Sequence, residues 1–145
     1  MGRGVGESMA GHLWVIDPDE CRRLLSDAVV GRVCWSAREG LTALPVAYGV
    51  HEDGRLAFRV AGGSVLGELA EPIEVAFQVD DLEADTLTGW SVLVRGTAEA
   101  WRGEFPDALC RPWAPGERTN GIQITPHSYS GRIVSGDDGS GGGRA

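Results

Sequence analysis

The sequence predicts a mainly β protein, a small antiparallel β-barrel of six or seven strands with two short helices. Three observations lead there. First, the stretch 73–101 alternates. Val75, Phe77 and Val79 are separated by Ala76 and Gln78, and Trp90, Val92 and Val94 by Ser91 and Leu93. A period of two, rich in β-branched and aromatic residues, describes half-buried strands. Second, turn signals recur at short intervals, including Arg38-Glu39-Gly40 and His51-Glu52-Asp53-Gly54, so neighbouring strands are joined locally and run antiparallel. Third, helical patterns are few and brief. Closing such a sheet on itself removes its exposed edges.

Taken in order, residues 1–11 are Gly-rich and patternless and read as a disordered lead-in. Structure is expected to begin near His12. A helix opens at Asp17, with Asp17 as N-cap, Pro18 at the first helical position and Glu20 three residues after the cap. Cys21, Leu24, Leu25 and Ala28 form its apolar stripe. Strands follow at 29–36, 41–50 and 56–60. Pro45 cannot donate to a ladder, so its strand is an edge or carries a bulge. In AGGSVLGELAEP, residues 61–72, Ser64 is the expected N-cap of a short helix that Pro72 ends. A glycine turn feeding a helix start offers free N–H groups to an anion. The hairpin 73–101 is the spine, with a wide polar loop at 81–88. A helical turn is expected within 104–115, where Trp113 sits in a Pro-rich segment suited to an interface. A strand at 122–125 is interrupted by Pro126 and resumes at 129–134. Residues 136–145 read as a flexible Gly-rich tail. The folded domain is therefore 12–135.

The chain has 145 residues, enough for one domain with a real core. Its formal charge is −8, with 13 basic residues against 21 acidic ones, which disfavours nucleic-acid and anionic-membrane partners. There is no apolar run long enough to cross a membrane and no secretory pattern near Met1. All the basic residues are arginine, so Schiff-base chemistry on lysine is excluded. Three cysteines, Cys21, Cys34 and Cys110, lack C-x-x-C spacing and read as reduced thiols of a cytoplasmic protein. His12, His51 and His127 are scattered, with no metal-ligand spacing.

Several segments carry a family resemblance: Gly31-Arg32-Val33, Leu44-Pro45-Val46-Ala47-Tyr48, Phe58-Arg59 with Gly63-Ser64-Val65-Leu66, and Gly89-Trp90-Ser91-Val92-Leu93-Val94-Arg95-Gly96. Ile124-Thr125-Pro126 and Gly131-Arg132 extend it. Over residues 17–134 the chain resembles the flavin-binding split-barrel proteins, the pyridoxamine 5′-phosphate oxidase-like superfamily, and within it the small members related to nitroimidazole-resistance proteins. The resemblance implies a homodimer with flavin mononucleotide (FMN) in a cleft between subunits, acting as an oxidoreductase on a small molecule. It places the backbone of Pro45, Val46, Ala47 and Tyr48 along the flavin ring. Arg59 and Val60 begin the phosphate loop, Ser64 caps the receiving helix, Ser91 contacts the ring, and Trp90 walls the pocket.

Relatives carry a basic residue after the loop serine. Here Val65 and Leu66 stand there, removing a charge-assisted contact worth about 1.5–3 kcal/mol, or roughly tenfold to a hundredfold in affinity. Arg59, or another arginine from the partner subunit, is the expected compensation, the alternatives being a weak, altered or empty site; Arg59 otherwise reads as a surface arginine paired with Glu68 or Asp80. Arg95 is expected to pair with Glu99 or Asp80. The weakened loop keeps other readings open: a non-catalytic flavin or haem module, or a protein using flavin adenine dinucleotide (FAD) or the deazaflavin F420. No nucleophile, base and orienter are recognisable as a set, which suits chemistry carried by a cofactor.

Overall fold

The structure is a computed structural model that describes residues 5–8, 11–109 and 120–135. Among these residues the elements are β1 (Val5–Ser8), β2 (Gly11–Ile16), α1 (Pro18–Asp27), β3 (Val30–Ala37), β4 (Gly40–Ala47), β5 (Gly49–Val50), β6 (Leu56–Val60), β7 (Ile73–Glu83), β8 (Thr88–Ala100) and β9 (Asn120–Ser135). Two 3-10 helices lie at Val65–Ala70 and Asp107–Leu109. The sheet runs β1-β2-β9-β8-β7-β3-β4, all antiparallel, with the β5–β6 hairpin attached to β9.

The mainly β expectation holds, with more strands than the six or seven expected. Val5–Ser8, read as part of an unstructured lead-in, pairs with β2. The run 41–50 divides into β4 and β5 at Tyr48, whose N–H donates to the Val29 carbonyl (3.1 Å). The buried Tyr48 hydroxyl donates to the Leu25 carbonyl, one of the acceptors left open at the end of α1. The sheet curls into a half-barrel and does not close: among the described residues β4 pairs with β3 alone. Pro45 therefore sits on an edge strand, where its missing N–H costs no ladder bond.

Strand β9 organises the curl. Residues 122–135, apart from one bulge residue, pair with β8 on one side. On the other side, residues 120–124 pair with β6 and residues 131–135 with β2. Pro126 falls between these two partners, so its lack of a donor is tolerated. The β8–β9 register shifts there, between Arg95 and Gly96, which leaves His127 as the extra residue of a bulge. The strand thus continues through the proline that was expected to interrupt it. The spine hairpin is also longer than expected. Asp81, Leu82 and Glu83 stay in the ladder opposite Trp90, Gly89 and Thr88, because backbone pairing does not depend on side-chain polarity.

The inward faces of these strands make the core. Phe58, Phe77, Leu56, Leu69, Ile122 and Ile124 are fully buried. Gly31 is required by this packing: a Cβ there would lie 2.4 Å from the Phe77 ring. Helix α1 starts as expected, with the Glu20 N–H donating to the Asp17 carboxylate (2.9 Å). It buries Cys21 and Leu25 over one end of the barrel, and burial of the Leu25 side chain contributes about 1.5–3 kcal/mol. No helix of the described residues is long and apolar enough to cross a membrane.

Candidate functional site

Several of the residues singled out from the sequence lie at opposite ends of the β7–β8 spine, while Arg59 and the Pro45–Tyr48 segment lie at neither. At the Ile73 end, an open groove of about 730 Å³ lies between the β3–β4 turn and the glycine turn before the first 3-10 helix. Ser36, Arg38, Gly63, Ser64, Val65 and Asn120 line it, together with the carboxylates of Glu39, Glu68 and Glu71. Gly63 has φ +82°, and a Cβ added there meets nothing within 4 Å. The backbone thus turns sharply with its face open to the groove.

Several expectations about this loop are corrected. Ser64 does not cap the helix: its hydroxyl donates back to the Ala61 carbonyl (2.6 Å). The helix is a six-residue 3-10 segment, too short to present a substantial dipole. Val65 and Leu66 pack half-buried against the core, and Val60 is buried within it. Arg59 does not face the groove. Its guanidinium is bonded to Asp107 and lies over the Phe105 ring, 4.3 Å from the centroid. Its partner is therefore neither Glu68 nor Asp80, and it does not replace the charge missing at Val65.

The groove instead contains an arginine that sequence reasoning treated only as a turn residue. Arg38 begins the β3–β4 turn. Its N–H donates to the Glu68 carboxylate (3.2 Å), which also accepts from the Trp35 indole N–H (3.2 Å). One carboxylate thereby joins the turn to the 3-10 helix. The signal was weak because Arg38 and Glu68 are 30 positions apart, and nothing local announces the contact.

At the other end of the spine, Trp90 is half-buried against the core. It lines a hollow of about 320 Å³ with Leu24, Ala28, Asp27, Asp80 and Asp81. Ser91 points to the opposite face of the sheet, between Asp80 and Arg132 in the neighbouring strands. Side chains alternate along a strand, so Trp90 does not wall a pocket that Ser91 faces. Pro45 and Ala47 lie on the outer side of edge strand β4, whereas the side chains of Val46 and Tyr48 turn into the core. Arg95 is exposed, and its expected partner Glu99 is bonded to Arg102 (2.7 Å). Trp113 and the segment around it lie outside the described residues.

Asp80, in the hollow, lies seven positions along β7 from Ile73, in the groove, a span of about 23 Å at roughly 3.3 Å per residue. One chain does not gather the expected set around one small molecule.

Two buried titratable groups of the described residues are held in their neutral forms. Burial and, after it, the Asp27 charge push the Tyr48 phenol up, so it stays protonated. Burial, then the charges of Asp17 and Glu20, raise the Cys21 thiol, making it a poor nucleophile. Among the described residues no cluster of His, Cys, Asp and Glu is placed to hold a metal ion.

A half-open, curled antiparallel sheet with one helix over its end and grooves at both ends of a central hairpin is a split barrel. Residues 17–133 match the family model for pyridoxamine 5′-phosphate oxidase, and the chain belongs to that family. It is 30% identical over 132 residues to the uncharacterized protein Rv0080 of Mycobacterium tuberculosis, covering 83% of this chain and 85% of that one. Among solved structures, it superposes on the FAD binding protein from Mycobacterium smegmatis with a TM-score of 0.65 at 26% identity, covering 83% of this chain and 97% of that one. A conserved protein of unknown function from Corynebacterium diphtheriae gives a TM-score of 0.68 at 27% identity, with 84% and 98% covered.

Proposed function

We propose that two copies of this chain bind a flavin between them, FMN being the first choice, and use it as an oxidoreductase on a small molecule. The observation that carries this is the separation of the two groups along the spine. The groove with Arg38 and Gly63 lies at one end, and Ser91 with Trp90 about 23 Å away at the other. A second copy related by a two-fold axis brings the far end of one spine beside the groove of the other, and makes two equal sites. The far end also carries the apolar surface such a contact needs: Leu82, Leu87, Ile133 and Val134 are each more than two-fifths exposed.

The residues present fit a flavin's anionic tail on shape and on one charge. The groove is roomy, its glycine turn is open, and Arg38 supplies a guanidinium, a strong partner for phosphate oxygens. A bound flavin supplies a hydride acceptor at its ring. The protein's part is then to hold the tail with Arg38, to order the ring against the β4 edge at Pro45 and Ala47, and to exclude water with the partner's apolar end. The FAD binding protein of Mycobacterium smegmatis supports a flavin in general. The three carboxylates of the groove favour one further reading, a binding-only module in which the ligand is flavin, F420 or haem.

An absorption spectrum of the purified protein, before and after incubation with FMN, FAD or F420, tests the reading. Flavin bands that stay with a dimeric species on size-exclusion chromatography, and bleach with a nicotinamide donor, are expected. A colourless protein after incubation with each cofactor overturns it. Bound flavin that no donor reduces selects the binding-only module.

A further inference from the structure

We infer that Arg38 is the phosphate-binding cation of this chain, on a turn that sequence comparison of the glycine loop does not reach. This rests on the flavin reading above, but it concerns the anionic group alone. Among the described residues the groove is lined by one basic side chain, that of Arg38. Val65 and Leu66 bring no charge to it, and Arg59 is committed to Asp107 and Phe105 outside it. No ion pair or side-chain hydrogen bond is made by the Arg38 guanidinium among the described residues.

The backbone under that side chain is fixed. Glu68 takes the Arg38 N–H and the Trp35 indole N–H, and Trp35 is buried. The turn is thus held against the 3-10 helix while its side chain is left exposed in the groove. Glu68 is engaged with two N–H donors, while Glu39 and Glu71 are exposed and so screened by water. A guanidinium opposite an open glycine turn recognises a phosphate through paired N–H donors.

The test compares wild type, Arg38→Ala and Arg38→Lys by calorimetric titration with three probes: FMN, riboflavin, which has the same ring without phosphate, and pyrophosphate. Arg38→Ala is expected to weaken FMN binding about tenfold to a hundredfold, to abolish pyrophosphate binding and to leave riboflavin unchanged. Arg38→Lys recovers part of the loss. Thermal melts establish that each variant is folded. Equal FMN affinity in wild type and Arg38→Ala overturns the inference and leaves the flavin reading intact, as does an equal loss for riboflavin and FMN. Pyrophosphate binding that depends on Arg38 in a protein that takes no flavin sustains the inference and overturns the flavin reading. A wild type that binds none of the three probes overturns both.

Discussion

The two ends of the β7–β8 hairpin are stabilised in different ways. At the groove end, the Glu68 carboxylate and the Gln123 side-chain amide are each bonded to distant parts of the chain. Glu68 accepts from Trp35 and Arg38, and the buried Gln123 carbonyl accepts from Arg55 (2.7 Å) and from the Arg102 N–H (2.9 Å). Arg55 also lies over Trp101, 3.9 Å from its ring. At the far end, large apolar side chains stand in the open, with Leu82 63% and Leu87 60% exposed. Leu87 even adopts a left-handed backbone (φ +58°), which is costly for a branched side chain. The difference is one of kind rather than of completeness: long-range hydrogen bonds tie the groove end together, although Leu41 beside its turn is 90% exposed, whereas the tip shows a cluster of open apolar side chains that we expect a second copy to cover.

Substitutions separate the two ends, beginning with the residue both depend on. Phe77 lies midway along β7, fully buried, in edge contact with Tyr48 at 4.8 Å. Phe77→Ala is expected to cost about 3–5 kcal/mol in denaturant unfolding. A loss below about 1 kcal/mol shows that the halves fold independently of this ring. Glu68→Ala tests the groove end. It strands the Trp35 and Arg38 donors, and a cost of about 1–3 kcal/mol is expected. Glu68→Gln keeps an acceptor and loses less, so equal losses would show that charge rather than the hydrogen bonds matters.

Leu87→Gly tests the tip. Relief of the left-handed backbone raises the stability of an isolated chain by about 1 kcal/mol, while the lost apolar cover dissociates a dimer. Light scattering at low micromolar concentration should report half the wild-type mass. An unchanged mass places the tip outside any interface.

The smallest effect is pH-dependent. Hydrogen bonds from Arg55 hold the Asp53 carboxyl well below the usual carboxylate range. Its contribution is therefore present above the unfolded value of about 4 and is lost as pH falls through the folded value. Asp53 is nearly half exposed, so screening limits the effect to about 0.5 kcal/mol. Asp53→Asn should flatten the stability curve below pH 4. A variant with the same acid limb as wild type removes Asp53 from the account.

What was legible in the sequence was local. The Asp17-Pro18-Glu20 start of α1 and the alternation of Val75, Phe77 and Val79 each depend on neighbours within a few positions, and both are found. What was not legible depends on residues far apart. Arg59 finds Asp107 across 48 positions, and Glu68 finds Trp35 across 33. A charged side chain has many acceptors within reach of its flexible stem, and only the assembled sheet selects one. Ser64 failed for a different reason. Its hydroxyl has a nearer acceptor in Ala61, and local competition of this kind is common for serine at turns. The tip was misread because polarity marks loops only statistically, whereas the Asp81-Leu82-Glu83 ladder is a matter of main-chain pairing.

Strand β9, with β8 along one side and β6 and β2 sharing the other, sets the order of events during synthesis. It is the last strand of the described chain, yet three earlier strands find a neighbour in it. A nascent chain still short of Asn120 holds β2, β6 and β8 with unpaired edges, and those edges wait in the exit tunnel and at the ribosome surface. Such high contact order slows the final step, which cannot begin until β9 is available to pair.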